Sequence, residues 1–219
     1  MAALEDDYHA MAVTLSHNGT RITGLASEMA RLPWTTCPGA ADVIARTFIG
    51  VTLQDVLSRG DKRLNCTHLY DLTLLAATHA LEKQVMIYDI AVADPVEGLV
   101  RAEIRRNDRV AMTFVHRADV LSEPEALAGR TLFDLRDWIA GLPANADRES
   151  ARLLQWATII AHGRVMTLEQ HADISRTPAS CYTFQEERRH DAIRLQTIRD
   201  FSLNVVDPLA GFDGERFER

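Results

Sequence analysis

The chain has no apolar run long enough to span a bilayer: its longest apolar stretches are broken by charges. It also lacks a basic segment followed by an apolar one at its start. Met1-Ala2-Ala3-Leu4-Glu5-Asp6-Asp7 opens acidic, so no signal peptide is expected. Cysteine is scarce, with three residues at wide spacing among 219. That count argues against a disulfide framework and predicts reduced thiols in a soluble, cytoplasmic protein. Positive charge is outweighed, 24 Lys and Arg against 31 Asp and Glu, for a net charge of −7. Neither nucleic acid nor membrane is therefore an expected partner. Missing too are a Gly-rich phosphate loop, a Gly-x-Ser-x-Gly elbow, a His-Glu-x-x-His helix and a Cys-x-x-Cys pair. ATP use, a hydrolase elbow and a structural zinc drop out with them, and no cofactor or metal is predicted.

What is present is ordinary globular usage, 47% hydrophobic and 25% charged, in a chain long enough for one sizeable core. Met11, Val13 and Leu15 alternate into His17-Asn18-Gly19, a hairpin signal because Asn and Gly tolerate positive φ. The second arm runs from Thr20 to about Met29, and Pro33 closes it. Three helical pieces follow: one entered at Pro38 and stopped by Gly50, one after Thr52 stopped by Gly60, and a longer one capped by Asn65 or Thr67. Met86–Val92 reads as a strand. Leu99–Arg105 and Val110–His116 read as a hairpin about Asn107-Asp108, with Val100, Ala102 and Ile104 facing the core.

Further helices are expected over Leu132–Ile139, from Asp147 to near Gly163 with a stripe of Leu153, Trp156, Ala157 and Ile160, and over Gln185–Phe201. Strands and helices in blocks, without βαβ alternation, predict an α+β fold in which an antiparallel sheet from at least two hairpins packs against several helices. One domain is expected over 1–206, with an extended tail over 207–219. The charged last helix and the Phe-bearing tail would wrap a second copy into a homodimer, or fold back on their own domain.

Reactive side chains concentrate in three stretches. In Asn65-Cys66-Thr67-His68-Leu69-Tyr70-Asp71 a helix start places Cys66 and His68 among unpaired N–H groups. There a thiol pKa falls and a neutral imidazole is favoured, which suits a nucleophile or base. The plain alternatives are a small buried hydrophobe for Cys66 and a satisfied core imidazole for His68. A metal set would join His9, His68 and Asp71 with His79 or Cys37, but no pair shows the short fixed spacing of a metal motif. Arg31-Leu32-Pro33-Trp34-Thr35-Thr36-Cys37-Pro38 puts an Arg and a Trp beside a helix start, able to line a pocket or merely to pin a loop. Cys181-Tyr182-Thr183-Phe184-Gln185-Glu186-Glu187-Arg188 could complete a site or be a helix entry with surface charge.

Three of these pieces, in order, resemble a bacterial family: His9-Ala10-Met11 at a strand start, Cys37-Pro38 at a helix start, and Cys66-Thr67-His68-Leu69 before an apolar helix. The family is that catalogued as domain of unknown function 2889, and the resemblance spans about residues 7 to 81. The chain departs from it in carrying Asn65 where Gly is usual, and in lacking the family's N-terminal strands before His9. The resemblance implies roles for His9, Cys37, Cys66 and His68, and an association with breakdown of aromatic and other hydrophobic carbon sources.

Together these features predict a cofactor-independent lyase that removes a one-carbon unit, by decarboxylation or formaldehyde loss, from an aromatic, phenylpropanoid-like or lignin-derived compound. His68 would be the base, with His9 orienting it and Tyr70 or Tyr182 donating a proton. Arg31 or Arg188 would anchor an anionic group, beside Trp34, Cys37 and Cys66 in the substrate pocket. The alternatives are a non-catalytic module for a hydrophobic ligand or partner, and a metal-dependent hydrolase.

Overall fold

A computed structural model describes residues 1–60, 62–166, 174, 177–202, 206–210 and 212. The fold is α+β, with two antiparallel sheets and several helices. The chain divides into two compact units: Met1–Lys83 with Thr167–Arg219, and Gln84–Met166. The second interrupts the first in sequence.

In the first unit a three-stranded sheet runs in the order β1 (Ala2–Glu5), β2 (Ala10–His17), β3 (Ile22–Arg31). The expected hairpin joins β2 to β3. Asn18 Oδ1 accepts from the Thr20 and Arg21 amides, and Gly19 takes φ +87°, the left-handed conformation that costs glycine least. β1 occupies what reads as a merely acidic terminus, because Ala2, Ala3 and Leu4 find partners in Val13, Ala12 and Met11. Pro38 lies in a 3-10 turn that leads into α1 (Ala40–Phe48). Thr52 does bond the Asp55 amide, but only a single 3-10 turn at Val56–Ser58 follows, not a helix.

The next helix, α2 (Thr67–Thr78), starts at Cys66 with no side-chain cap. It buries Leu69 and Leu72 against Met11, Val13, Ile44 and Phe48. Each such side chain contributes about 1.5–3 kcal/mol of transfer free energy. That packing carries the head of α2 to the end of the sheet where β1 turns into β2.

The second unit holds a four-stranded sheet, β4 (Tyr88–Val92), β5 (Leu99–Arg106), β6 (Arg109–Arg117) and β7 (Val120–Glu123), in that order. The expected turn carries Asn107 at φ 47° and Asp108 at φ 63°. Ala102, Ile104 and Phe114 face a core shared with Leu154. The helix expected over Leu132–Ile139 is displaced. Leu132 and Leu135 are buried in the approach, and α3 (Arg136–Gly141) follows them. α4 (Asn145–Ala161) buries Ser150, Ala151, Leu154 and Thr158; of the expected stripe Leu153 packs against the core, while Trp156, Ala157 and Ile160 lie off the most buried line.

The expected helix over Gln185–Phe201 is reduced to one turn, α5 (Glu186–Arg189). The segment after it is held by partners from elsewhere in the chain. Thr35 N donates to Ile193 O, Leu195 N to Pro33 O, and Arg199 N to Asp7 O. Those bonds need an extended backbone, and tertiary pairing overrides the helical charge pattern. In the expected tail over 207–219, residues 211 and 213–219 lie outside the described residues; Leu209 N donates to Glu5 Oε2 at 2.6 Å. Among the described residues no helix is long and apolar enough to cross a membrane.

Candidate functional site

The four residues Asp6-Asp7-Tyr8-His9 link β1 to β2, closed by Asp6 N donating to His9 O at 2.9 Å. Asp6 folds back on this turn: its Oδ1 accepts from the Tyr8 amide at 2.7 Å and the His9 amide at 2.8 Å. Short polar side chains make such turns because they satisfy backbone donors locally. The same oxygen lies 2.9 Å from His9 Nδ1. Arg31, at the end of β3, grips the turn from below. It donates to the carbonyls of Asp6 and His9 and pairs with Glu5 at 3.0 Å.

The head of α2 delivers the third member. His68, second residue of the helix, stacks its ring on that of His9 with centroids 3.7 Å apart and planes 29° off parallel. Its Nε2 is 3.8 Å from Asp6 Oδ2. Ligand atoms of Asp6, His9 and His68 all fall within 4.8 Å of one another.

Charge in the cluster is unevenly placed. Burial opposes ionisation of Asp6, but the His9 hydrogen bond, the charges of His9 and His68 and the Tyr8 amide outweigh it and bring its pKa down to about 2. Burial, reinforced by His9 and by Lys62, holds the His68 imidazole down to about 3 against the pull of Asp6. Proximity alone would suggest a charged His68–Asp6 pair. At 3.8 Å, however, the contact is too long for a hydrogen bond, and Asp6 is already committed to His9. His68 is therefore neutral at physiological pH, with a lone pair to offer.

Other residues singled out in the sequence stand elsewhere in the first unit. Cys66 is next to the cluster in sequence, but burial pushes its thiol up to about 12, opposite to the direction expected at a helix start. Tyr70 packs against Phe48 and donates its hydroxyl to the Arg59 carbonyl. Asp71 pairs with Lys62 at 2.7 Å, and His79 with Glu82 at 2.9 Å. Trp34 and Cys37 sit in a small buried cluster with Ile174, and Cys37 Sγ lies 3.5 Å from Thr183 Oγ1. Tyr182 is threaded between the two helix entries. Its amide donates to Asn65 O at 2.9 Å and its hydroxyl lies against Gly39. Arg188 covers its ring at 4.0 Å. The structure thus brings His9 and His68 together, with Arg31 behind them, and gathers Cys37, Tyr182 and Thr183 around the start of α1. The sequence reading does not include Asp6, which stands between Glu5 and Asp7 with no pattern to single it out.

Fold and cluster define an α+β protein whose first unit bears a carboxylate beside two stacked imidazoles. Residues 2–82 match the family model described as protein of unknown function (DUF2889), and all three cluster residues fall inside the match. No curated protein and no solved structure matches the chain.

Proposed function

We propose that the first unit is a metal-dependent hydrolase, with Asp6, His9 and His68 as ligands of one divalent transition-metal ion. The reading rests on the convergence of one carboxylate and two imidazoles within 4.8 Å. One carboxylate and two imidazoles are a common catalytic donor set for zinc, and three protein ligands leave a position for water or substrate. A divalent ion so held lowers the pKa of bound water and polarises a carbonyl or phosphoryl oxygen.

The His9 and His68 rings, stacked at 3.7 Å, would part by roughly 1 Å to share a tetrahedral ion, and the charge states of the cluster suit the task. Asp6 supplies a carboxylate that stays ionised at any working pH, and His68 supplies a neutral imidazole that no proton has to leave. Arg31 holds the turn that sets Asp6 and His9 relative to α2. This reading promotes the metal over the cofactor-free lyase because a base with a pKa near 3 removes protons poorly at neutral pH.

The lyase reading keeps one supporting observation, the His9 ring oriented by Asp6 at 2.9 Å. In that version His9 is the base, and the substrate is the aromatic or phenylpropanoid-like compound expected above. Metal analysis, with a panel of aryl esters, amides and phosphate esters beside hydroxymethyl- and carboxyl-bearing phenylpropanoids, separates the two. The hydrolase reading expects a zinc equivalent at this cluster that Asp6→Asn and His68→Gln remove, with turnover lost on chelation and regained with Zn2+. Full turnover in a chelated sample free of metal would overturn it, and formaldehyde or CO2 released by that sample would establish the rival.

A further inference from the structure

A second group of imidazoles and carboxylate lies in the other unit and plays no part in the site above. His116, on β6, is 2% exposed, yet neither of its ring nitrogens has a hydrogen-bond partner. Leaving a buried polar group unsatisfied is costly, and such orphans in native folds point to a water or an ion. Its ring faces that of His162, with centroids 6.1 Å apart and planes at 63°. His162 follows α4 directly, and its Nε2 lies 3.0 Å from Asp119 Oδ1. Asp119 occupies the turn between β6 and β7 at φ 69°, beside Ala118 at φ 45°. Left-handed backbone is uncommon for non-glycine residues, and here it holds a carboxylate against the end of α4.

We infer that His116, His162 and Asp119 form a second binding site for a divalent transition-metal ion of the zinc class. Imidazole with a single carboxylate selects such ions over magnesium or calcium, which take oxygen ligands. Burial and the neighbouring His162 keep the His116 imidazole neutral, outweighing Asp119, so its lone pair is available. Two imidazoles on one tetrahedral ion stand with centroids about 5 Å apart, so the rings, which meet edge-on and whose ligand atoms do not all lie within 4.8 Å of one another and of Asp119, need to close by roughly 1 Å. His162 and Asp119 have the freedom to do so, with side chains 33% and 37% exposed. The same exposure gives an ion its way in from solvent to the buried His116.

The test is zinc titration calorimetry on the full chain after chelator treatment and dialysis. His162→Gln and Asp119→Asn are the principal variants, because both positions are partly exposed and should leave folding intact. Circular dichroism and urea midpoints check that. The wild-type protein should bind two equivalents; either variant should lose one of them or weaken it at least tenfold, while Asp6→Asn removes the other. Zinc binding within twofold of wild type in both His162→Gln and Asp119→Asn overturns the inference. A single equivalent lost in His162→Gln and retained in Asp6→Asn supports this site and overturns the hydrolase centre. A single equivalent with the reverse pattern overturns this site alone, and no binding at all overturns both.

Discussion

Acid should unfold the metal-free protein earlier than its core predicts, and His68 is the reason. Its imidazole is held down to about 3 in the fold, from 6.5 when free. The unfolded chain therefore takes up a proton that the native state refuses. Stability from this group is complete above about pH 6.5 and is lost as the pH falls towards 3. Between pH 7.5 and 5 the loss is about 2 kcal/mol, fixed by the free pKa alone provided the folded value stays well below 5. Asp6 works in the same direction, but its window, from 3.8 down to about 2, lies below this range.

The experiment is urea unfolding of chelated protein at the two pH values, for the wild type and for His68→Leu, which keeps the volume and removes the titration. The His116 imidazole is also lowered by burial and adds its own acid sensitivity, but it is present in both proteins and cancels. The wild type should lose about 2 kcal/mol more than the variant, roughly 1 M in urea midpoint. A difference below about 0.5 kcal/mol would mean that His68 is charged in the folded protein. The 3.8 Å contact with Asp6 would then be a working ion pair, and the neutral-ligand reading would fall.

Three further outcomes follow from the same packing. Cys66, buried with its thiol pushed up to about 12, should react with iodoacetamide at pH 8 at least about 100-fold more slowly in native than in urea-unfolded protein; mass spectrometry of the labelled peptide reads this, and equal rates would place the thiol at the surface. Gly39→Ala should lower stability by about 1–3 kcal/mol, because the new Cβ runs into the Tyr182 hydroxyl; the double variant with Tyr182→Phe should recover part of the loss in thermal melts. Arg31→Met removes the partner of a Glu5 carboxylate that is 6% exposed and two bonds to the β1–β2 turn. Arg199 still pairs with Glu5 at 3.1 Å, so a loss of about 1–3 kcal/mol is expected rather than collapse, together with weaker zinc binding at Asp6 and His9.

Elements whose signals are local were legible in the sequence. Asn18-Gly19 and Asn107-Asp108 marked both expected hairpins because the positive φ of Gly19, Asn107 and Asp108 and the amide-accepting side chain of Asn18 are properties of the residues themselves. The α2 start was legible because an apolar period of helical spacing follows Thr67. Elements made by distant partners were not. β1 carries no strand pattern of its own beyond Ala-Ala-Leu and exists because β2 offers it an edge. The 190–202 segment has helical charge spacing, but Ile193, Leu195 and Arg199 commit backbone groups to Thr35, Pro33 and Asp7, and the Thr197 hydroxyl donates to the Leu32 carbonyl. The misjudged face of α4 has the same origin: Trp156 and Ile160 are more hydrophobic than Ser150 and Thr158, but the sheet of the second unit meets the helix along the line of Ala151 and Leu154.

The site shows where that boundary falls. His68 could be chosen from sequence because it falls in the first turn of α2, and His9 because it stands, just before β2, in the His9-Ala10-Met11 piece that resembles the family. Asp6 could not, because nothing in an acidic run of Glu5, Asp6 and Asp7 says which carboxylate turns inward. That choice follows from β1: once Glu5 pairs opposite Ala10, the link has four residues, and its first carboxylate is the one placed to accept the Tyr8 and His9 amides. Glu5 is turned instead towards Arg31 and Arg199. A strand invisible to pattern thus decides which acid joins the two imidazoles. The consequence is testable: replacing Leu4 by Pro, which cannot donate an amide to the ladder, should loosen the β1 pairing and lower zinc affinity at Asp6, while leaving the Lys62–Asp71 pair and the helix content of α2 in place.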